Sequence, residues 1–81
     1  MEAVALKYPE NAEAPFIAAS ARGKMAEKII AVAEENGIPI IKDRMLSKIL
    51  IAEDVGSLIP VETYAVVAKI FAFIENIGDI K

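Results

Sequence analysis

The 81-residue chain has no cysteine, no histidine and no tryptophan. Without cysteine there is no disulfide framework and no thiolate metal site. Without histidine the usual zinc sites and the base that activates Ser or Cys nucleophiles are missing, so hydrolases of the Ser-His-Asp and Cys-His types are excluded. A surplus of positive charge is absent too. Nine basic residues face twelve acidic ones, for a net charge of -3 and a pI near 4.9, so affinity does not come from neutralising many phosphates and nucleic acid is not the expected partner. Long hydrophobic runs are also lacking. The densest, Ala65 to Ile74, is ten residues broken by Lys69, whereas a spanning helix needs about 20. Met1-Glu2-Ala3 carries an acid where a signal peptide has positive charge. The expectation is one cytoplasmic domain, residues 1–81, with no direct membrane insertion.

What is present is apolar surface. Hydrophobic residues make up 56% of the chain and the mean hydropathy is +0.44. A domain this small buries only roughly 60% of the surface that its unfolded chain exposes. An excess of apolar residues over what the fold can cover points to a partner.

Two apolar runs, Ala3 to Tyr8 and Phe16 to Ala19, flank a turn-rich stretch bounded by Pro9 and Pro15, which reads as two strands and a loop. A connection that short forces antiparallel pairing. Ser20 is placed to cap a helix over roughly 21–36, with Ala26, Ile29, Ile30 and Ala33 at helical spacing and Asn36-Gly37 as its stop. Ile38-Pro39-Ile40-Ile41 reads as a third strand with its proline near the start, parallel to the second through a right-handed crossover. Asp43 is placed to cap a second helix with Met45, Leu46, Ile49 and Leu50 on its buried face. Val55 to Pro60 breaks it, and Pro60 suits the first turn of a third helix running to about Asn76. The expected fold class is α/β: a small mixed three-stranded sheet packed with three helices, in the order β-β-α-β-α-α.

Signs of catalysis are sparse. Gly23, Gly37, Gly56 and Gly78 stand too far apart for a phosphate-binding loop, and no cofactor is expected. Glu53, Asp54 and Glu62 could hold a divalent ion only if folding gathered them, and adjacent loop acids are ordinarily just solvated. In the first helix Arg22, Lys24 and Lys28 crowd the N-terminal half while Glu34 and Glu35 end it, the unfavourable sense for the macrodipole. Cations held for a partner would explain this; local pairing of Lys24 with Glu27 is the plainer explanation.

The third helix is the most informative segment. Glu62, Lys69 and Asn76 form a polar stripe, and Val67, Ile70, Phe71 and Ile74 a broad apolar face. Val66 and Phe73 fall beside the polar stripe, where they are either covered by the tail Ile77 to Lys81 or exposed. Ala65, Ala68 and Ala72 form a small-residue stripe beside Tyr64 and Phe71. Such a stripe usually serves close packing inside a domain, yet it also suits an apolar peptide anchor.

With these segments placed, the sequence resembles the cytoplasmic C-terminal domain of the FlhB/YscU family of type III export. The resemblance rests on Ala3-Val4-Ala5-Leu6-Lys7-Tyr8, Ala14-Pro15, Ile38-Pro39, Leu46 with Ile49-Leu50, and Gly56 followed by Ile59-Pro60 and Tyr64-Ala65-Val66-Val67-Ala68, in that order. In the family this first strand follows an Asn-Pro-Thr-His loop that cleaves itself. Met1-Glu2 stands at that point here, so self-cleavage is not carried over and a free-standing equivalent of the post-cleavage fragment is expected. The resemblance implies a non-enzymatic module whose partners are flagellar export gate components, such as a truncated or cleaved FlhB-type membrane protein, and the signal peptides of export substrates. It also implies a small pocket for an export signal, at Ala14, Pro15, Ala68 and Phe71. Phe71 stands where a leucine is usual, and its ring is expected to narrow or fill that pocket. Val66 and Phe73 complete the candidate binding residues. They also carry the alternative reading, a small oligomerising structural domain outside secretion.

Overall fold

A computed structural model describes residues 1–79, with side chains to residue 74. Two strands, β1 (Glu2–Lys7) and β2 (Phe16–Arg22), precede three helices: α1 (Lys24–Glu35), α2 (Arg44–Leu50) and α3 (Tyr64–Asp79), the last entered through a 3-10 turn at Val61–Thr63. The strands pair antiparallel, from Glu2 opposite Arg22 to Lys7 opposite Phe16. The turn between them is closed by the Ala12 N–H donating to the Pro9 carbonyl at 3.2 Å. Asn11 takes the left-handed position there (φ 68°), which asparagine tolerates.

One irregularity decides where the core lies. Ala5 pairs with Ala19 but Leu6 pairs with Ile17, so Ala18 is an extra, bulged residue. Strict alternation would put Ile17 on the face of Ala19 and Ala21. The bulge turns it to the other face, beside Val4 and Leu6, where it is 0% exposed and packs with Ala14, Leu50, Ile59 and Val67. The opposite face of the sheet is built from alanines (Ala3, Ala5, Ala19, Ala21), small enough for α1 to lie close against both strands. Helices therefore cover both faces of a two-stranded sheet.

The outer edge of β2 is held by a segment that reads from sequence only as a break. The Ile17 N–H donates to the Ser57 carbonyl (2.8 Å), the Gly56 N–H to the Ile17 carbonyl (2.8 Å) and the Ile59 N–H to the Pro15 carbonyl (3.0 Å). Phe16 and Leu58 form an isolated antiparallel bridge. Gly56 supplies the φ of 94° that this ribbon needs.

The third strand expected at Ile38–Ile41 is not formed; the segment is irregular and Ile38 is 56% exposed. The reason is a shortage of donors. The Gly37 N–H donates to Glu34 and the Ile38 N–H to Ala33 in a left-handed helix cap with Gly37 at φ 66°. Pro39 has no N–H, so only Ile40, Ile41 and Lys42 remain before Asp43 starts α2. Asp43 caps as expected, its Oδ1 accepting from the Leu46 N–H at 3.0 Å. Leu50 and Leu46 pack inward from α2, whereas Met45 (76% exposed) and Ile49 face outward.

Ser20 is not the cap of α1. It lies in β2 opposite Val4, and the strand continues through Arg22 before Gly23 turns the chain into the helix. Gly23, at φ 62° and ψ -134° with its N–H on the Met1 carbonyl (2.7 Å), occupies a region that only glycine adopts readily. Arg22 thus belongs to the strand and pairs with Glu2 at 3.4 Å, the one ion pair among the described residues; Lys24 and Glu27 do not pair. Pro60 precedes rather than begins α3, its carbonyl accepting from the Thr63 N–H (2.9 Å) and Oγ1 (2.7 Å). The tail expected to cover Val66 and Phe73 lies outside the described side chains.

Two substitutions test this architecture by urea denaturation. Ile17→Ala should cost about 2–5 kcal/mol through the cavity left at the centre of the core. Gly23→Ala meets no atom within 4 Å, yet it should cost about 1–3 kcal/mol through backbone strain. An unchanged midpoint for either would contradict the packing or the turn described.

Candidate functional site

The clasp between β2 and the Gly56–Ile59 segment sets the hairpin end of the sheet against α3. Ile59 is anchored on the Pro15 carbonyl, so Ala14 and Pro15 are held beside it. Val67, 1% exposed, packs into the same cluster as Ala14, Ile17 and Ile59. The last residue of the Val4, Leu6, Tyr8 alternation carries its ring past the end of β1 to meet Phe71. The two rings stand edge to face, with centroids 5.7 Å apart at 65°.

These elements enclose a pocket of about 120 Å³ lined by Ala14, Pro15, Ile59 and Val67 below and by Tyr8, Glu13, Tyr64, Ala68 and Phe71 around it. The α3 contribution, Tyr64, Val67, Ala68 and Phe71, has the i, i+3, i+4, i+7 spacing of one helix face. The lining is mostly apolar, with one carboxylate and two phenol groups among its nine residues. No serine, threonine, cysteine or lysine is among the lining residues. What the pocket can do is desolvate one apolar side chain.

The residues expected to form a pocket, Ala14, Pro15, Ala68 and Phe71, are brought together here. Of the alanine stripe on α3, only Ala68 takes part; Ala65 and Ala72 are exposed and outside the lining. Val66 (45% exposed) and Phe73 (58%) lie on another side of α3 and contribute nothing to the pocket. Glu53, Asp54 and Glu62 are not gathered into a metal-sized cluster, nor is any other set of three acids among the described residues. No helix among those residues is long and apolar enough to cross a membrane.

Four lining residues were not expected from sequence as part of this site. Tyr8 could have been found, since it continues the every-second-residue pattern of Val4 and Leu6. Val67 reads from its spacing as part of the core face, and it serves as both core and pocket floor. Glu13 and Ile59 give no local signal, because they arrive by hairpin geometry and by the β2 clasp. A second concavity, a groove of about 350 Å³, runs between α1 and β1 and is lined by Ala5, Lys28, Ile29, Val32, Ala33 and Ile38.

Comparison with known proteins places this geometry in context. A family model described as the FlhB HrpN YscU SpaS Family matches residues 2–74. The chain is 39% identical over 74 residues to the flagellar biosynthetic protein FlhB of Aquifex aeolicus, an alignment covering 89% of this chain and 21% of that protein. FlhB of Escherichia coli is 34% identical over 73 residues, covering 88% of this chain and 19% of its own length. The chain thus spans about a fifth of the FlhB proteins it matches. It is 38% identical over 79 residues to the uncharacterized protein YlqH of Bacillus subtilis, covering 96% of this chain and 85% of YlqH. Among solved structures, the crystal structure of the PscU C-terminal domain superposes with a TM-score of 0.83 at 21% identity, over 90% of this chain and 95% of that one. The fold is therefore shared.

The pocket geometry can be checked with the chain's own lack of tryptophan. Ala68→Trp should leave stability within roughly 1 kcal/mol, since the site is exposed. Its indole should lie against Pro15 and Phe71 and emit at shorter wavelength than free indole in water. Water-like emission from a folded variant would mean that Ala68 does not face the pocket.

Proposed function

Because the chain belongs to the FlhB HrpN YscU SpaS family, we propose that it is a non-enzymatic binding module of the type III protein export apparatus. In this reading it docks on an FlhB-type gate protein and offers the Tyr8, Ala14, Pro15, Ala68 and Phe71 pocket to an apolar segment of an export substrate, contributing to substrate recognition or to the specificity switch. The observation that carries the reading is the convergence of Ala14-Pro15 with the apolar face of α3 on one pocket with a buried floor. Peptide recognition by a groove needs only such an anchor site and polar groups at its margin. The flagellar names of the FlhB relatives support placing it in that pathway.

A second reading, a small oligomerising domain outside secretion, has the exposure of Val66 and Phe73 in its favour. One pair of experiments separates the two. Expression of the chain in flagellated cells whose FlhB lacks its C-terminal fragment should restore or alter the switch from hook to filament export, and the chain should co-purify with the gate protein. No effect and no co-purification, with a salt-resistant dimer that Phe73→Asp abolishes in light scattering, would favour the second reading instead.

A further inference from the structure

The pocket carries one charge, and among the described residues that charge has no partner. Glu13 is exposed at the rim and makes neither a hydrogen bond nor an ion pair among the described residues. No lysine or arginine is among the lining residues. The rings of Tyr8 and Tyr64, both part-exposed, stand in the same lining. A carboxylate at the opening with no partner among the described residues favours a cation there and disfavours an anion. The apolar part of the pocket limits the neighbour of that cation. A cavity of about 150 Å³ accommodates benzene, so one of about 120 Å³ takes a single aliphatic side chain.

Resting on the peptide-docking reading above, we propose that the pocket selects segments in which an aliphatic anchor is flanked by lysine or arginine, and that Glu13 is the residue that sets this preference. The occupant is a basic-flanked apolar peptide. Glu10 provides the internal control, since it lies in the same hairpin loop with the same charge but is outside the lining. A preference that came only from the chain's net charge of -3 would respond equally to the loss of either acid.

The test uses fluorescence polarisation with two labelled nine-residue peptides, each with a central leucine and otherwise neutral, carrying either one lysine or one glutamate beside it. The intact chain should bind the lysine peptide about two- to fivefold more tightly at low salt, the size expected for an exposed pair. The preference should shrink at high salt as screening sets in. Glu13→Gln should remove it and Glu10→Gln should leave it. A preference that survives Glu13→Gln, or that Glu10→Gln reduces equally, would overturn the assignment. Binding that ignores peptide charge but is blocked by Ala68→Trp would overturn the charge selection and leave docking standing. Absence of binding by either peptide would overturn both.

Discussion

Ile17 is the residue on which the rest of the structure depends. Its side chain is at the centre of the core, its N–H and carbonyl are both bonded to the Gly56–Ser57 ribbon at 2.8 Å, and it pairs with Leu6 across the sheet. A bulge at Ala18 makes these roles compatible, because without it the side chain would point at α1. A two-stranded sheet is marginal by itself in water, and this one is made stable by being covered on both faces. The larger apolar residues Val4, Leu6 and Ile17 meet α2 and α3, and the alanine face meets α1.

Much of the local structure was legible in the sequence. Asp43 as a helix cap and Asn36-Gly37 as a helix stop are short-range chemistry, needing only the adjacent backbone, and both are present. The hairpin between the prolines and the three helical segments are there as well. The failures share a cause, which is competition from distant parts of the chain. Ser20 has the right chemistry for a cap, yet pairing of Ala21 and Arg22 with β1 keeps it in a strand. Ile38–Ile41 has the composition of a strand, yet the helix cap takes the Ile38 N–H and Pro39 offers none.

The pocket divides along the same line. Ala14, Pro15, Ala68 and Phe71 were expected through the resemblance, and Tyr64 and Phe71 also through the spacing on the third helix. Glu13 depends on the hairpin geometry and Ile59 on the clasp at β2, a contact between segments about 40 residues apart in the chain. The Phe71 ring, expected to narrow or fill the pocket, is set edge to face on Tyr8 and is part of the lining.

The central claim is that the pocket lined by this ring and by Ala14-Pro15 receives part of an export protein. Site-specific photo-crosslinking in flagellated cells tests it most directly. A photoreactive phenylalanine at position 68 should give a crosslink to an export substrate or gate component, while the same group at position 72, exposed on the same helix but outside the lining, should give none. Equal crosslinking from both positions, or none from position 68 in cells that are actively exporting, would contradict the account.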